Sequence, residues 1–256
     1  QSDFSTLCRG RIVPQEIADR ETAMKFIEAV GQFERIMNDS GFITLTRLAV
    51  PEITGQDGKA GIIEKYFSLS QTDTTCLKDI GLYPEEMRVG DDILCLHTLS
   101  DVEDLPEKVG TDTRFEKLST DRSDCRLSFA APVGVLLSCN HVYNQYIFID
   151  DHAENLKTFE QTARNMQSLS RYSRANQINK EWIDEYLNEA HSKGLVSVRC
   201  HCNVMAWSDD REELKRIRND VGSQLALMEC KPRHNTVDTP TLFWAGIPGN
   251  EADFPA

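Results

Sequence analysis

The sequence predicts an α+β fold: antiparallel sheet or sheets with helices packed on one face, assembled from ferredoxin-like split strand–helix units. Three observations predict it. Residues 195–204 alternate, with Val196, Val198, Cys200, Cys202 and Val204 on one side and Ser197, Arg199, His201 and Asn203 on the other. That is the period-two pattern of a half-buried strand. A helical pattern follows at once, with Leu214, Ile217, Val221, Leu225 and Met228 on one face. From Tyr143 onward the order reads strand, helix, helix, strand, helix, then one or two strands, an arrangement that commonly closes an antiparallel sheet under helices. Two subdomains are expected, 1–128 and 129–256.

Taken in order, Pro14 opens a first helix, a favoured first-turn position. Ala23, Phe26, Ile27, Val30, Phe33 and Met37 give it an apolar stripe, and Gly41 can take the left-handed cap. A short strand is expected over 42–48, a loop over 51–58 and a helix over 60–69. The middle, 71–128, is the least patterned part. Within it, 93–99 reads as a strand and 110–123 as a long polar excursion of Thr, Asp and Ser, such as a hairpin. Strands are expected over 133–138 and 143–150. A helix over 153–169 and a second around Ile178–Ala190, closed by Gly194, follow. After the alternating strand, Ser208 or Asp209 can cap the next helix, whose first turn holds Glu212 and Glu213 where the dipole favours anions. A last strand is expected over 241–247, then a turn at Pro248-Gly249-Asn250.

The chain has 256 residues, 40% hydrophobic and 27% charged, enough for a sizeable core. No apolar run approaches the ~18 residues of a membrane span. Net charge is −13, which argues against broad nonspecific binding to DNA, since that rests on neutralising phosphates. Arg164, Arg171, Arg174 and Lys180 nevertheless form a local basic cluster, a solvated helix face or a single-stranded DNA contact. The eight cysteines are irregularly spaced, unlike a disulfide-stapled secreted domain. No signal peptide is visible, and a reducing cytoplasmic compartment is expected. The start at Gln1 and stop at Ala256 read as a segment of a longer protein.

Motifs that carry chemistry are few. Gly55-Gln56-Asp57-Gly58-Lys59-Ala60 lacks the spacing and hydroxyl of a phosphate-binding loop and reads as a turn. Cys200-His201-Cys202 suits a soft metal by composition. On a strand, however, the two cysteines share a face and His201 points away, so core packing is expected. Asp150-Asp151-His152 stands at a strand end, where a metal-dependent hydrolase could place its residues; it also stands where a helix N-cap belongs. No G-x-S-x-G, H-E-x-x-H or G-x-G-x-x-G is present. Trp182, Trp207 and Trp244 are expected as packing residues. Arg211, Lys215, Arg218 and Asp220 form a charged helix face open to a partner protein.

Five runs resemble a known family: GKAGIIEKYFSLSQ (58–71), RVGDDILCLHTLSDVEDLP (88–106), STDRSDCRLSFAAPVGVLLSCNHVYNQYIFIDD (119–151), RYSRANQINKEWIDEYLNEAHSKGL (171–195) and CHCNVMAWSDDREELK (200–215). They are similar to the TraG-type ATPases of Bacteroides conjugative transposons, of the VirB/TrbE-like class of type IV secretion ATPases. The closing AGIPGNEADFP (245–255) resembles the junction that precedes the motor in that class. The resemblance implies a non-catalytic N-terminal α+β domain of a DNA-transfer ATPase. It implies contacts with type IV secretion channel proteins at the inner membrane and self-association in the parent protein. It also implies a cytoplasmic location peripheral to that membrane. ATP and magnesium would belong to a P-loop motor beyond this segment. No catalytic, nucleotide-binding, metal or cofactor residue is carried over to any position here, and strong nucleic-acid binding is not expected.

Overall fold

The structure is a computed structural model. It describes residues 15–41, 43–72, 78–99, 101–106, 109, 129–250 and 253–254. Two compact units divide the chain, residues 1–56 and 57–256.

In the first unit, α1 spans Gln15–Asp39 and ends as the sequence predicts, at Gly41 with φ +72°. The strand expected over 42–48 does not form; residues 43–49 run without sheet pairing. The segment is tied to the helix instead: Leu45 N donates to Asn38 Oδ1 at 2.7 Å, and the Arg47 side chain pairs with that of Glu34 at 2.7 Å. Part of the loop expected over 51–58 is a short helix, α2, Val50–Thr54. Pro51 presets its first turn, and Glu52 accepts from Ala49 N at 2.8 Å. Phe26, Ile27 and Phe33 on α1 remain exposed.

In the second unit, α3 (Ile62–Ser68) precedes three strands, β1 (Ile80–Tyr83), β2 (Glu86–Val89) and β3 (Asp92–Leu99). Then come α4 (Ala131–Leu136), β4 (His141–Phe148), α5 (His152–Leu169), α6 (Arg174–Lys193), β5 (Arg199–Ser208), α7 (Arg211–Leu227), β6 (Arg233–Asn235) and α8 (Thr239–Ala245). The fold is the expected α+β class, with one six-stranded antiparallel sheet ordered β1-β2-β3-β5-β4. The sheet joins strands from both sides of residue 128. β6 lies along β3 on the edge that β2 occupies at the start of that strand: Arg88 pairs with Ile93, whereas His97 pairs with His234.

Both faces of the sheet are covered. On one, Leu99, Cys202, Val204 and Ala206 pack against Ile217, Val221 and Leu225 of α7 and Val133 of α4. On the other, Met87, Leu94, Leu96, Met205 and Trp207 pack against Leu242 and Phe243 of α8, with Tyr66 and Phe67 of α3 alongside. Phe243 is fully buried, and Tyr66 Oη donates to its carbonyl at 2.8 Å.

Four expectations change here. β5 begins at Arg199 and is a central strand buried on both faces, so His201 and Asn203 are buried rather than turned to solvent. Residues 133–138 and 241–247 were expected as strands; α4 and α8 occupy these places, each with a proline in its first turn. A short apolar run fits a buried helix as well as a buried strand, and the proline decides between them. Trp182 does not pack: it is 66% exposed. The polar excursion at 110–123 lies outside the described residues. Among the described residues no helix is long and apolar enough to cross a membrane.

Candidate docking cleft

The sequence-predicted candidates do not converge on one centre. Asp151 caps α5, accepting from Ala153 N at 2.9 Å and Glu154 N at 3.1 Å. Asp150 instead takes Arg199 in two contacts of 2.8 and 3.3 Å, and those hydrogen bonds hold its exposed carboxyl below the usual carboxylate range. His152 is half-buried at the helix start, with Nδ1 buried and unpartnered. Three neighbours in sequence thus do three separate jobs. The Cys200–His201–Cys202 run is split in the way strand geometry requires. Cys202 packs under α7, while His201 stacks on Phe254 with ring centroids 4.4 Å apart. Among the described residues no group of three or more His, Cys, Asp and Glu is placed to hold a metal ion. Gly55 and Gly58 both adopt positive φ, +91° and +79°, as turn glycines do. Arg164 and Lys180 pair with Glu160 and Asp184 of their own helices, at 3.7 and 2.5 Å.

The pairing of β6 with β3 makes the built feature that the sequence pattern does not show. A cleft of about 310 Å³ opens between α7, the β1–β2 turn with β3, and β6 with the start of α8. α7 is fixed at its start by Asp210, which accepts from Glu212 N at 2.9 Å, and by Ser208, which donates to Glu213 at 2.8 Å. The cap is therefore Asp210, the second member of the Asp209-Asp210 pair that precedes the helix. With Ile217, Val221 and Leu225 committed to the sheet, the adjoining stripe of Arg211, Leu214, Lys215 and Arg218 lines the cleft. Glu85, Glu86, Ile93 and Leu94 face it, with His234, Asn235 and Thr239 at the other wall.

The charges are unequally engaged. Arg211 pairs with Glu86 at 2.9 Å and Lys215 with Glu212 at 2.7 Å. Arg218 has no ion-pair partner among the described residues and lies beside His234 and His97, where a shallower cleft adjoins. Asn235 Nδ2 donates to Asp238 at 2.6 Å, while its Oδ1 is buried with no hydrogen-bond partner. The cleft therefore offers one exposed cation without an ion-pair partner among the described residues, near the apolar Met87, Ile93 and Leu94.

Cys95 and His234 line it, and His97 lies next to them in the adjoining cleft. Cys95 Sγ is 3.9 Å from His97 Nδ1, and the two imidazole rings are 5.3 Å apart at 66°. Burial pushes the Cys95 thiol up to about 12. Burial, then the charges of His234 and Arg218, bring His97 down to about 4. Each partner is held in its neutral form, the opposite of the thiolate–imidazolium pair that a cysteine nucleophile uses. Cys95 and His97 are buried, while His234 is exposed at the cleft wall.

A second feature escaped sequence reading. Asn144 Nδ2 donates to Asn203 Oδ1 at 2.9 Å, and Asn203 Nδ2 meets His201 Nε2 at 2.9 Å. This polar chain crosses the β4–β5 pair inside the core, with Asn144 and Asn203 in direct register. A single Asn in each strand, Asn144 and Asn203, is the sequence trace it leaves.

Comparison with protein-family models finds no match to this chain, and comparison with curated proteins finds none either.

Proposed function

We propose that this chain is the non-catalytic assembly and docking domain of a conjugative DNA-transfer ATPase, of the type IV secretion class that its sequence resembles. The cleft along α7 receives a partner protein. The observation that carries the docking part is Arg218, an exposed cation of the cleft wall with no ion-pair partner among the described residues. A partner carboxylate complements it, and the ion-paired rim around it adds orientation more than affinity. The neutral Cys95–His97 pair and the scattered Asp150, Asp151 and His152 favour docking over hydrolysis. The class assignment rests on the extended sequence resemblance. A cytoplasmic position at the inner membrane, next to secretion-channel proteins and neighbouring copies, accords with it.

Two measurements test this reading. Titration with magnesium-ATP is expected to give no binding; micromolar binding or turnover by this chain would remove the non-catalytic reading. Co-expression with the channel proteins of the same transfer system is expected to recover a complex. Lys215→Glu with Arg218→Glu is expected to weaken it at least tenfold. A complex unchanged by that double reversal places docking elsewhere than the α7 cleft.

A further inference from the structure

The helix pair α5–α6 is inserted between two strands that are direct neighbours in the sheet, β4 and β5. It is secured at its base, where Asn155 Nδ2 donates to Ser197 Oγ at 3.1 Å. Its helices pack on each other, with the Phe159 and Tyr186 rings 5.0 Å apart. No side chain of α5 is fully buried, and Ala190, near the base, is the only such residue in α6. Eighteen residues of α5 at 1.5 Å each carry the far end about 27 Å from that base. The connection there is tightly built: Tyr172 N donates to Leu169 O at 3.0 Å, and Ser173 caps α6 through Ala175 N at 3.2 Å. The pair is a projecting two-helix arm with a structured tip.

The tip has a composition unlike the rest of the molecule. Residues 161–180 contain Arg164, Arg171, Arg174 and Lys180 and no acid, in a chain of net charge −13. Arg171 and Arg174 are exposed and have no ion-pair partner among the described residues. Among them stand large exposed apolar side chains. Tyr172 is 85% exposed, and Leu169 and Ile178 are also open to solvent. One turn beyond Ile178 is the exposed Trp182.

We infer that the α5–α6 tip docks on an anionic phospholipid surface. The charge is complementary to acidic headgroups, each basic residue near such a surface contributing about fivefold in partition. Tyr and Trp suit the headgroup level, with Leu and Ile just beneath it. A nucleic-acid strand shares the anionic chemistry but calls for a basic groove with stacked aromatic platforms. Two of the apolar members here, Leu169 and Ile178, are aliphatic and give a base no ring to stack on. The inference uses no residue of the α7 cleft, so either can fail without the other.

The test is sedimentation of the purified chain with vesicles of phosphatidylcholine alone and of phosphatidylcholine mixed with phosphatidylglycerol. Binding is expected only to the mixed vesicles, declining as salt is raised. Arg171→Gln with Arg174→Gln is expected to reduce it roughly 25-fold, two basic residues at about fivefold each. Tyr172→Ser with Leu169→Ser, both at solvent-exposed positions, is expected to reduce it further while leaving circular dichroism unchanged. Absence of binding to the mixed vesicles overturns the inference. So does equal binding by the arginine variant, or binding of a single-stranded oligonucleotide in preference to the vesicles at the same salt.

Discussion

His97 makes the stability of the second unit depend on pH in a calculable way. The ring is 4% exposed, between Val204 of β5 and His234 of β6 in the sheet. Burial first, then His234 and Arg218, lower its pKa from 6.5 to about 4. The neutral form is the folded form, so the unfolded chain binds the extra proton between these two values. Stability is therefore complete above pH 6.5, declines as pH falls toward 4, and changes no further below that on this group's account. A shift of about 2.5 units corresponds to roughly 3 kcal/mol, of which about 2 kcal/mol is lost by pH 5. Falling pH also protonates His234, whose own pKa is lowered by burial and by Arg218. The assay is urea unfolding at pH 7.5, 6.5, 5.5 and 5 for the native chain and His97→Gln. The native chain should lose about 2 kcal/mol more than the variant over that range. Parallel stability curves for the two proteins would refute the assignment of this sensitivity to His97.

Two further outcomes follow from the core. Phe243→Ala removes a fully buried ring shared by α8, α3 and the sheet, and should cost about 3–5 kcal/mol, read as a lower urea midpoint at unchanged slope. Cys95, Cys202 and Cys230 are buried, and burial raises all three thiols, Cys230 to about 11. Mass mapping after thiol labelling at pH 8 should find these three modified only once urea unfolds the chain; modification of Cys95 at the rate of a free thiol contradicts its placement.

The legible parts of the fold were those with a long period or a clear terminator. α1, α5, α6 and α7 all carry apolar residues at helical spacing, and Gly41 and Gly194 end α1 and α6 at positive φ. β3 and β4 fall where apolar runs place them. The errors have a common cause in the coverage of the sheet. Alternation in 196–204 reads as one wet face and one dry face, yet α8 and α3 cover the side the sequence assigns to solvent, so His201 and Asn203 enter the core. They are tolerated there because they bond each other and Asn144. α4 and α8 were misread because segments of only six and seven residues do not distinguish a buried helix from a strand. β1, β2 and β6 have three or four residues each, too few for a period to register. The cleft was half legible. Arg211, Lys215 and Arg218 share a face by spacing alone. Their opposite wall depends on β6 pairing beside His97, more than 130 residues distant in sequence, which no local pattern encodes.

The sheet also makes the two proposed surfaces separable. β5 connects them: the α5–α6 arm leaves beside Arg199, and α7 with its cleft departs just after Ser208. Ten strand residues at about 3.3 Å each put roughly 30 Å between these ends. Sites that far apart with no shared partner contribute additively to binding and stability. Combining Arg171→Gln and Arg174→Gln with Lys215→Glu and Arg218→Glu should therefore lower vesicle binding by the arm's factor and partner binding by the cleft's factor, with no excess in either. An excess would require β5 to transmit a change along its length. That strand is buried on both faces and paired on both edges. Close packing of this kind leaves no room for a second arrangement, so the rigid strand that fixes both surfaces also keeps them independent.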